Sequence, residues 1–378
     1  MTKHLATLAL AAAAFAACEP NRSVTEPVQS ALSAQLDDDG DRGPRAVYTI
    51  TNQVAGNAVA VFARSADGTL TAAGSFATGG TGTGAGLGSQ GAVTLSRDGR
   101  LLLAVNAGSN DVSVFRVGQQ GLSLLSRTPS GGTLPTSVTI SRNVVYVLNA
   151  GGAGNITGFT INYRGELTPI AGSTKALSGA TTAPAQVSFS PDGRQLVVAE
   201  RATNLLDVYP VDGNGVAGER ASYPSAGGTP FGFAFGPRNL LFVSEAAAPG
   251  SASSYVLSRS GALAVASGAV LTHQGAPCWA VVTENGRFGY TGNGAGSVSG
   301  FSIAPDGSIR LLDVNGATAV IGGGVNDIAL SGNSRYLYAL QTGANPAIHA
   351  FRVERDGGLT ALGAVDGIPA GTRGLAAF

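Results

Sequence analysis

The fold is decided by the stretch PAQVSFSPDGRQLVVAERATNLLDVY, residues 184–209. Three short apolar runs follow one another here, and none has the 3.6-residue period of a helix. Asp192-Gly193 joins the first two runs, and this dipeptide supplies the positive φ angles that a tight hairpin needs. Glu200 ends the second run and Tyr209 ends the third. The stretch therefore predicts three consecutive antiparallel strands, which we term A, B and C.

The same pattern recurs seven times along the chain, with a weaker outer strand D after each strand C. The strand B runs end, 43 to 54 residues apart, on Asn52, Asn106, Asn149, Glu200, Glu245, Asn293 and Gln341. The strand C segments close on the aromatic residues Phe62, Phe115, Phe159, Tyr209, Tyr255, Phe301 and Phe351. Four antiparallel strands are one propeller blade, so the sequence predicts an all-β, seven-bladed β-propeller over residues 46–378.

The two ends of the repeat region are complementary. The first repeat has strands B, C and D but no strand A, whereas the C-terminal TRGLAAF, residues 372–378, is a strand without a repeat of its own. We expect this strand to complete the first blade. Such a closure hides the sheet edges that an open ring would expose.

Composition narrows the class of partner. The chain has 378 residues, of which 23 are basic and 23 acidic, so its formal net charge is zero. Such a balance provides no electrostatic footprint for nucleic acid or for an anionic membrane surface. A hydrophobic content of 44% argues against disorder. We expect a monomer that binds a small molecule.

Residues 1–18 are typical of an export signal, with Lys3 in a basic start and an apolar stretch from Leu5 to Ala17 that is too short to span a bilayer. Phe15-Ala16-Ala17-Cys18 resembles a bacterial lipobox, which predicts lipidation of Cys18 and anchoring to the cell envelope. The alternative is ordinary cleavage near Ala14-Phe15-Ala16, which would leave a periplasmic or secreted protein. Membrane contact is expected only through such an anchor.

Residues 19–45 are polar and are interpreted as a flexible tether. Their acidic run, Asp37 to Asp41, lacks the spaced ligands and the distal glutamate of a calcium loop. Cys278 is the only cysteine besides Cys18, and no Cys-x-x-Cys or His-x-His spacing occurs. The sequence therefore predicts no disulfide framework, no metal site and no cofactor. Gly80 to Ala85 fits a loose dinucleotide pattern, but it joins two strands and is interpreted as a D–A loop.

The repeat also indicates a site, because D–A and B–C connections share one face of a propeller and surround one funnel. Glu200 and Glu245 end strand B in adjacent blades where the other five blades have amides. With Arg201, they could supply a general base, an oxyanion partner and a group that orients substrate or water for lactone opening. Alternatively, Arg201 neutralises Glu200 in a structural pair.

Further candidate substrate-binding residues share a place at the end of strand B or at the approach to strand A. They are Asn149, His273, Trp279, Asn293, Asp327 and Arg373. For the asparagines, the alternative is turn chemistry, since their side chains can bond nearby backbone at a strand end.

With these motifs the sequence resembles the seven-bladed lactonase family, which includes the propeller type of 6-phosphogluconolactonase and the carboxymuconate cyclases. The resemblance covers Ala46 to Phe378 and rests on Ser190-Pro191-Asp192-Gly193-Arg194, on VYVLNAGGAGNITGFTI (145–161) and on the aromatic close of strand C. It implies a Pro-His pair opening one strand A and an acidic residue at the next strand B end. Here those positions are Pro184-Ala185 and Glu200.

Two functions follow as hypotheses. The first is a lactonase-like hydrolase that opens a small, sugar-derived lactone in the funnel. The second is a non-catalytic exported propeller that binds a small molecule, a glycan or a protein partner through the same rim, which the absent histidine favours.

Overall fold

The structure, a computed structural model, describes residues 45–378, which form seven four-stranded antiparallel blades around an axis. The fold class predicted from the sequence is confirmed. The expectations for residues 1–44, including the export signal and lipidation of Cys18, lie outside the described residues. No helix within residues 45–378 has the length and apolar character to cross a membrane.

The strands run in the predicted order, from the axis outward. Blade 1 consists of β30 (Arg373–Ala377), β1 (Ala46–Ile50), β2 (Ala58–Arg64) and β3 (Leu70–Ala77). Blade 2 consists of β4 (Val93–Leu95), β5 (Leu101–Asn106), β6 (Asp111–Gly118) and β7 (Gly121–Pro129). Blade 3 consists of β8 (Pro135–Ser141), β9 (Val144–Asn149), β10 (Asn155–Ile161) and an outer strand in two pieces, β11 (Leu167–Pro169) and β12 (Lys175–Ala176).

The remaining blades repeat this plan. Blade 4 consists of β13 (Pro184–Phe189), β14 (Gln195–Glu200), β15 (Leu205–Pro210) and β16 (Ala221–Pro224). Blade 5 consists of β17 (Pro230–Phe235), β18 (Leu240–Glu245), β19 (Ser251–Leu257) and β20 (Leu263–Leu271), with a 3-10 turn at Pro237–Asn239. Blade 6 consists of β21 (Pro277–Val282), β22 (Phe288–Asn293), β23 (Ser297–Ile303), β24 (Ile309–Leu311) and β25 (Ala319–Val320), and blade 7 of β26 (Val325–Leu330), β27 (Tyr336–Gln341), β28 (Ala347–Val353) and β29 (Leu359–Val365).

Strand B forms the core of each blade because it pairs on both edges and is covered on both faces. Every residue of β14 and β18 is buried, which explains why the strand B runs are continuously apolar rather than alternating. Tyrosines on strand B then pin the C–D turn of the next blade. The hydroxyls of Tyr146, Tyr290 and Tyr338 donate to the carbonyls of Gly215, Gly357 and Gly68 at 2.8, 2.8 and 3.0 Å.

The ring is closed by β30, which pairs antiparallel with β1, Tyr48 lying opposite Ala376. Asp327, on the innermost strand of blade 7, accepts a hydrogen bond from the backbone N–H of Leu375 at 2.9 Å. Arg64 on β2 donates through Nη2 to the main-chain oxygen of Phe378 at 3.1 Å. The last blade is therefore joined to the first through the C-terminal strand, as the sequence predicted.

Deletion of Thr372 to Phe378 is expected to abolish cooperative folding, because it removes the inner strand of blade 1, exposes the inner edge of β1 and takes the Leu375 N–H from the buried Asp327 carboxylate. Circular dichroism during thermal unfolding measures the effect. A synthetic peptide of residues 371–378 added in trans is expected to restore a cooperative transition. A truncated protein that melts like the full-length chain would contradict this closure.

Candidate functional site

The axis is lined by the openings of the innermost strands. In five blades the pairing of strands A and B begins with one pair, after which strand A has one residue more than strand B before pairing resumes, which is a β-bulge. A bulge changes the direction of a side chain, here toward the axis. The residues at the position of the bulge or its equivalent in the seven blades are Arg373, Gly91, Thr136, Ala185, Phe231, Cys278 and Asn326. Arg373 is the only charged member.

A second ring is formed by the residue that follows the end of strand B. It is Ala107, Ala150, Ala246 and Gly294 in blades 2, 3, 5 and 6, and Thr342 in blade 7. In blade 4 the same position is Arg201. Small side chains in these five blades leave room at the axis, and Arg201 extends into that room.

The guanidinium of Arg201 is held from its own blade and stacks on the next. Its Nε donates to the carbonyl of Ala183 at 3.0 Å, and its central carbon lies 5.2 Å from the centroid of the Phe231 ring. Burial lowers the pKa of Arg201. The neighbouring Cys278 is no thiolate, because burial raises its pKa to about 12. No ion pair joins Arg201 to Glu200 within residues 45–378.

Arg373 opens the closing strand and reaches the same space. Its Nη1 donates to the carbonyl of Thr372 at 2.6 Å, whereas its Nε is buried and has no hydrogen-bond partner among the described residues. Burial lowers the pKa of this guanidinium too. Buried polar atoms are nearly always hydrogen-bonded in proteins, so an orphan donor at an axis indicates a ligand or water.

The two arginines meet the same short loop, Gly84 to Gly88, before the inner strand of blade 2. A side-chain carbon at Gly86 would lie 3.8 Å from Nη2 of Arg373, and one at Gly88 would lie 3.1 Å from Nη2 of Arg201. Gly88 also has a φ of +59°, which favours glycine. The loop therefore places two cationic groups within a few residues of one another.

Ser89 and Gln90, which follow this loop, cross the axis and close it. The side chain of Gln90 pairs with the backbone of Ala280 in blade 6, donating to its carbonyl at 2.8 Å and accepting from its N–H at 2.9 Å. Trp279 donates through Nε1 to the carbonyl of Ser89 at 3.1 Å. A side-chain carbon at Gly232 would lie 2.0 Å from the Gln90 carbonyl oxygen. We call Ser89-Gln90 the strap.

The strap separates the funnel from a cavity at the opposite mouth of the channel. This cavity has a volume of about 510 Å³, and Gln90 forms part of its wall together with Phe189, Phe235, Val282 and Leu330. The strap therefore lies across the channel, and we call the part of the funnel on its D–A side the cup. Arg201 and Arg373 lie on its wall.

The two predicted carboxylates lie beneath the loops rather than in the cup, and both side chains are fully buried. Glu200 accepts hydrogen bonds from the N–H and hydroxyl of Ser178 and, at 2.6 Å, from the hydroxyl of Thr203. Glu245 accepts four, from Ser225, Gly227, Ser251 and Ser253, at 2.6 to 2.9 Å. In this structure both carboxylates anchor a D–A loop to its blade through these hydrogen bonds, and the catalytic roles predicted for them stay predictions.

The predicted asparagines behave in the same way. Asn293 donates to the hydroxyls of Ser297 and Ser299 at 3.0 and 2.8 Å, and Asn149 donates to Asn155 and to the carbonyl of Ser130. In blade 1 the equivalent position is Thr51 rather than Asn52, because strand B ends four residues after the partner of the strand C aromatic, which is Val47 here. The turn-chemistry alternative therefore describes these side chains.

The other predicted residues are dispersed. Trp279 is buried and bonded to the strap, while Asp327 is occupied by the N–H groups of Ile328 and Leu375. His273 lies exposed on the loop that enters blade 6. Of the nine predicted site residues within residues 45–378, the structure brings Arg201 and Arg373 together in the cup. Sequence reasoning missed the strap, although Gln90 stands where four other blades have proline before the bulge.

Replacement of Gln90 by alanine is expected to loosen the strap and to lower the stability by about 1–3 kcal/mol, the usual effect of lost buried hydrogen bonds. Trp279 is the only tryptophan, so its emission should shift to the red and become more accessible to acrylamide. Gln186→Ala is the matched control, because Gln186 makes the same side-chain pair with the backbone of Phe233 and none with the blade 6 strand that carries Trp279. Equal quenching in Gln90→Ala and wild type would refute the strap.

Comparison with known proteins agrees with this architecture. Residues 45–181 match the family model described as "Lactonase, 7-bladed beta-propeller". Among curated proteins none matches the sequence. A candidate 6-phosphogluconolactonase from Bacteroides fragilis superposes with a TM-score of 0.70 at 18% identity, over 90% of this chain and 99% of that one.

A second solved structure, the periplasmic gluconolactonase of Pseudomonas aeruginosa, superposes with a TM-score of 0.67 at 16% identity, over 86% of this chain and 98% of that one. A third, a candidate 6-phosphogluconolactonase from Bacteroides uniformis, superposes with a TM-score of 0.60 at 21% identity, over 70% of this chain and 82% of that one. At these identities the superpositions establish the fold. Together with the family match, they confirm the resemblance of this chain to the seven-bladed β-propeller lactonase family.

Proposed function

We propose that the protein is a lactonase-type hydrolase whose cup receives a small lactone bearing an anionic group, held by Arg201 and Arg373. The observation that carries the proposal is the pair of partly buried guanidinium groups that lie against the loop Gly84 to Gly88, with no acidic partner among the described residues. A buried cation without a counter-ion is costly, so such a pair favours an anion from outside.

The chemistry suits the two arginines. A guanidinium can bind a carboxylate or phosphate through two parallel hydrogen bonds, while a second one stabilises negative charge that develops on the lactone carbonyl. Water attacks the carbonyl carbon, the ring C–O bond breaks, the ring oxygen leaves as a hydroxyl group, and the products are a hydroxy carboxylate and a released proton. The family match and the names of the three structural neighbours support a lactone substrate. The orphan Nε of Arg373 supplies a donor for it.

A specific observation favours a second candidate, a propeller that binds the same anions without hydrolysis. Glu200 and Glu245 have their carboxylates enclosed by donors, and Ala185 stands at the position where the family resemblance implies histidine. The described wall of the cup then lacks an evident general base. In that case the protein would bind lactones and hydroxy acids equally and turn over neither.

A lactone panel distinguishes the two candidates. 6-Phosphogluconolactone, gluconolactone and an uncharged lactone are assayed for hydrolysis, and the corresponding acids for binding by calorimetry. We expect turnover of an anionic lactone, and a loss of about tenfold or more in kcat/KM for Arg201→Gln and for Arg373→Gln, as for a charge-assisted hydrogen bond. Arg97→Gln, on the opposite face, is the control and is expected to leave kcat/KM unchanged.

The outcomes separate cleanly. Binding of the acids without turnover of any lactone would support the second candidate. Wild-type affinity and turnover in both funnel variants would overturn the site itself. Glu200→Gln is expected to reduce stability, because it replaces an acceptor of three hydrogen bonds with an amide that carries only one acceptor oxygen.

A further inference from the structure

Blade 4 differs from the other blades at one position of strand C, the residue paired with the second residue before the end of strand B. From blade 1 to blade 7 this residue is Ala60, Ser113, Thr157, Asp207, Ser253, Ser299 and His349. In blades 2, 5, 6 and 7 its side chain hydrogen-bonds directly to the strand B end, at 2.7 to 2.8 Å. In blade 4 the same geometry sets the carboxyl group of Asp207 against that of Glu200.

Both carboxyl groups are enclosed. The side chains of Asp207 and Glu200 have no exposed surface, and the carboxyl group of Asp207 is within hydrogen-bonding reach of Glu200 and of Ser222. One cation faces them, Arg220, whose Nε lies 3.4 Å from Oδ2 of Asp207. Two adjacent buried carboxylates beside one guanidinium repel each other, so Asp207 retains its proton more strongly than an isolated aspartate does.

The remaining charged and titratable groups nearby leave this balance in place. Tyr209 follows on the same strand, and burial raises its pKa far above neutrality. Lys175 and Glu219 pair with each other at 3.5 Å on the adjoining edge, where Glu219 is 98% exposed. Burial, reinforced by Glu200, raises the pKa of Asp207 to about 7. The shared proton is therefore lost within an ordinary pH range.

Glu200 connects this pair to the cup through a loop. It accepts the N–H of Ser178 at 2.9 Å and the hydroxyl of the same residue. Five residues later, the carbonyl of Ala183 accepts both the backbone N–H of Arg201, at 3.3 Å, and its Nε, at 3.0 Å. Loop 178–183 is thus fixed by Glu200 at one end and fixes Arg201 at the other.

We propose that Asp207 is a positioning residue: the proton that it shares with Glu200 keeps loop 178–183 attached to blade 4 and so holds Arg201 in the cup. When this proton leaves, a second negative charge faces Glu200, the carboxylate is pushed from Ser178, and Ala183 no longer fixes the guanidinium. The consequence for ligands rests on the proposed function. The movement of Arg201 does not, and it can be measured on the protein alone.

The test follows Trp279 emission from pH 5 to 9 without ligand. Arg201 stacks on Phe231, whose ring centroid lies 5.4 Å from that of Trp279, so displacement of the guanidinium alters the surroundings of the only tryptophan. Wild type is expected to show a transition centred at about pH 7. Asp207→Asn, which keeps a neutral donor beside Glu200, and Asp207→Ser, which copies blade 5, are expected to show none.

The pH dependence of the free energy of unfolding gives an independent readout, and the direction of the change can be predicted. The unfolded aspartate ionises near pH 4, whereas the folded one keeps its proton to about pH 7. The contribution of Asp207 is therefore fully present at pH 4 and is lost as the pH rises to 7. The melting temperature of wild type relative to Asp207→Asn is expected to fall across this window and to stay level above it. Ser253→Asp is expected to introduce the same loss in blade 5, opposite Glu245.

A transition in Trp279 emission that persists unchanged in Asp207→Asn and Asp207→Ser would overturn the proposal, as would a melting temperature that these variants alter equally at every pH. Should 6-phosphogluconolactone or its acid bind, affinity is expected to decrease above pH 7 in wild type and not in Asp207→Asn. Failure of all ligands to bind, with the emission transition present, would refute the proposed function and leave the positioning role standing.

Discussion

The pairing of β30 with β1 is the interaction on which the rest of the structure depends. A ring of seven blades is closed only if its last segment is joined to its first, and here the C-terminal strand occupies the innermost place in blade 1. The same strand receives the Asp327 carboxylate through Leu375 and carries Arg373 into the funnel. Closure of the fold and assembly of the site are therefore one event.

Two kinds of polar side chain lie near the axis, buried ones that stabilise loops and others that face the channel. Side chains at the ends of strand B are buried and bind their own loops, whereas the residues one step further on, or at the bulge of strand A, reach the channel. A difference of one residue along the chain thus separates a structural acceptor, Glu200, from a funnel cation, Arg201. The strap then closes the channel beneath these cations, since Gln90 makes a two-sided pair with Ala280.

Much of this could be predicted from the sequence because the repeat is regular. Apolar strand B runs, glycine hairpins and the orphan TRGLAAF follow local rules, so they predicted the blades and their closure. The candidate site was harder to predict from the sequence. Glu200 and Glu245 interrupt a series of amides, but what encloses them are serines in D–A loops and on neighbouring strands, whose approach no spacing predicts. The strap depends on a contact between residues 190 positions apart, and no local sequence pattern predicts such a contact. Asp207 stands out in the sequence, because three blades have serine at the equivalent position. Its proximity to Glu200, however, could be inferred only from the register of strand C against strand B.

The most direct test of the central claim is native-state hydrogen exchange at the amides of Leu375 and Phe378, which donate to Asp327 and to the carbonyl of Ala46. If the closing strand holds the ring together, these amides exchange only through global unfolding, with the same free energy as the amides of β9 and β14. Exchange at a rate typical of exposed loops, while β9 and β14 remain protected, would contradict it. The blades would then hold together without the closing strand.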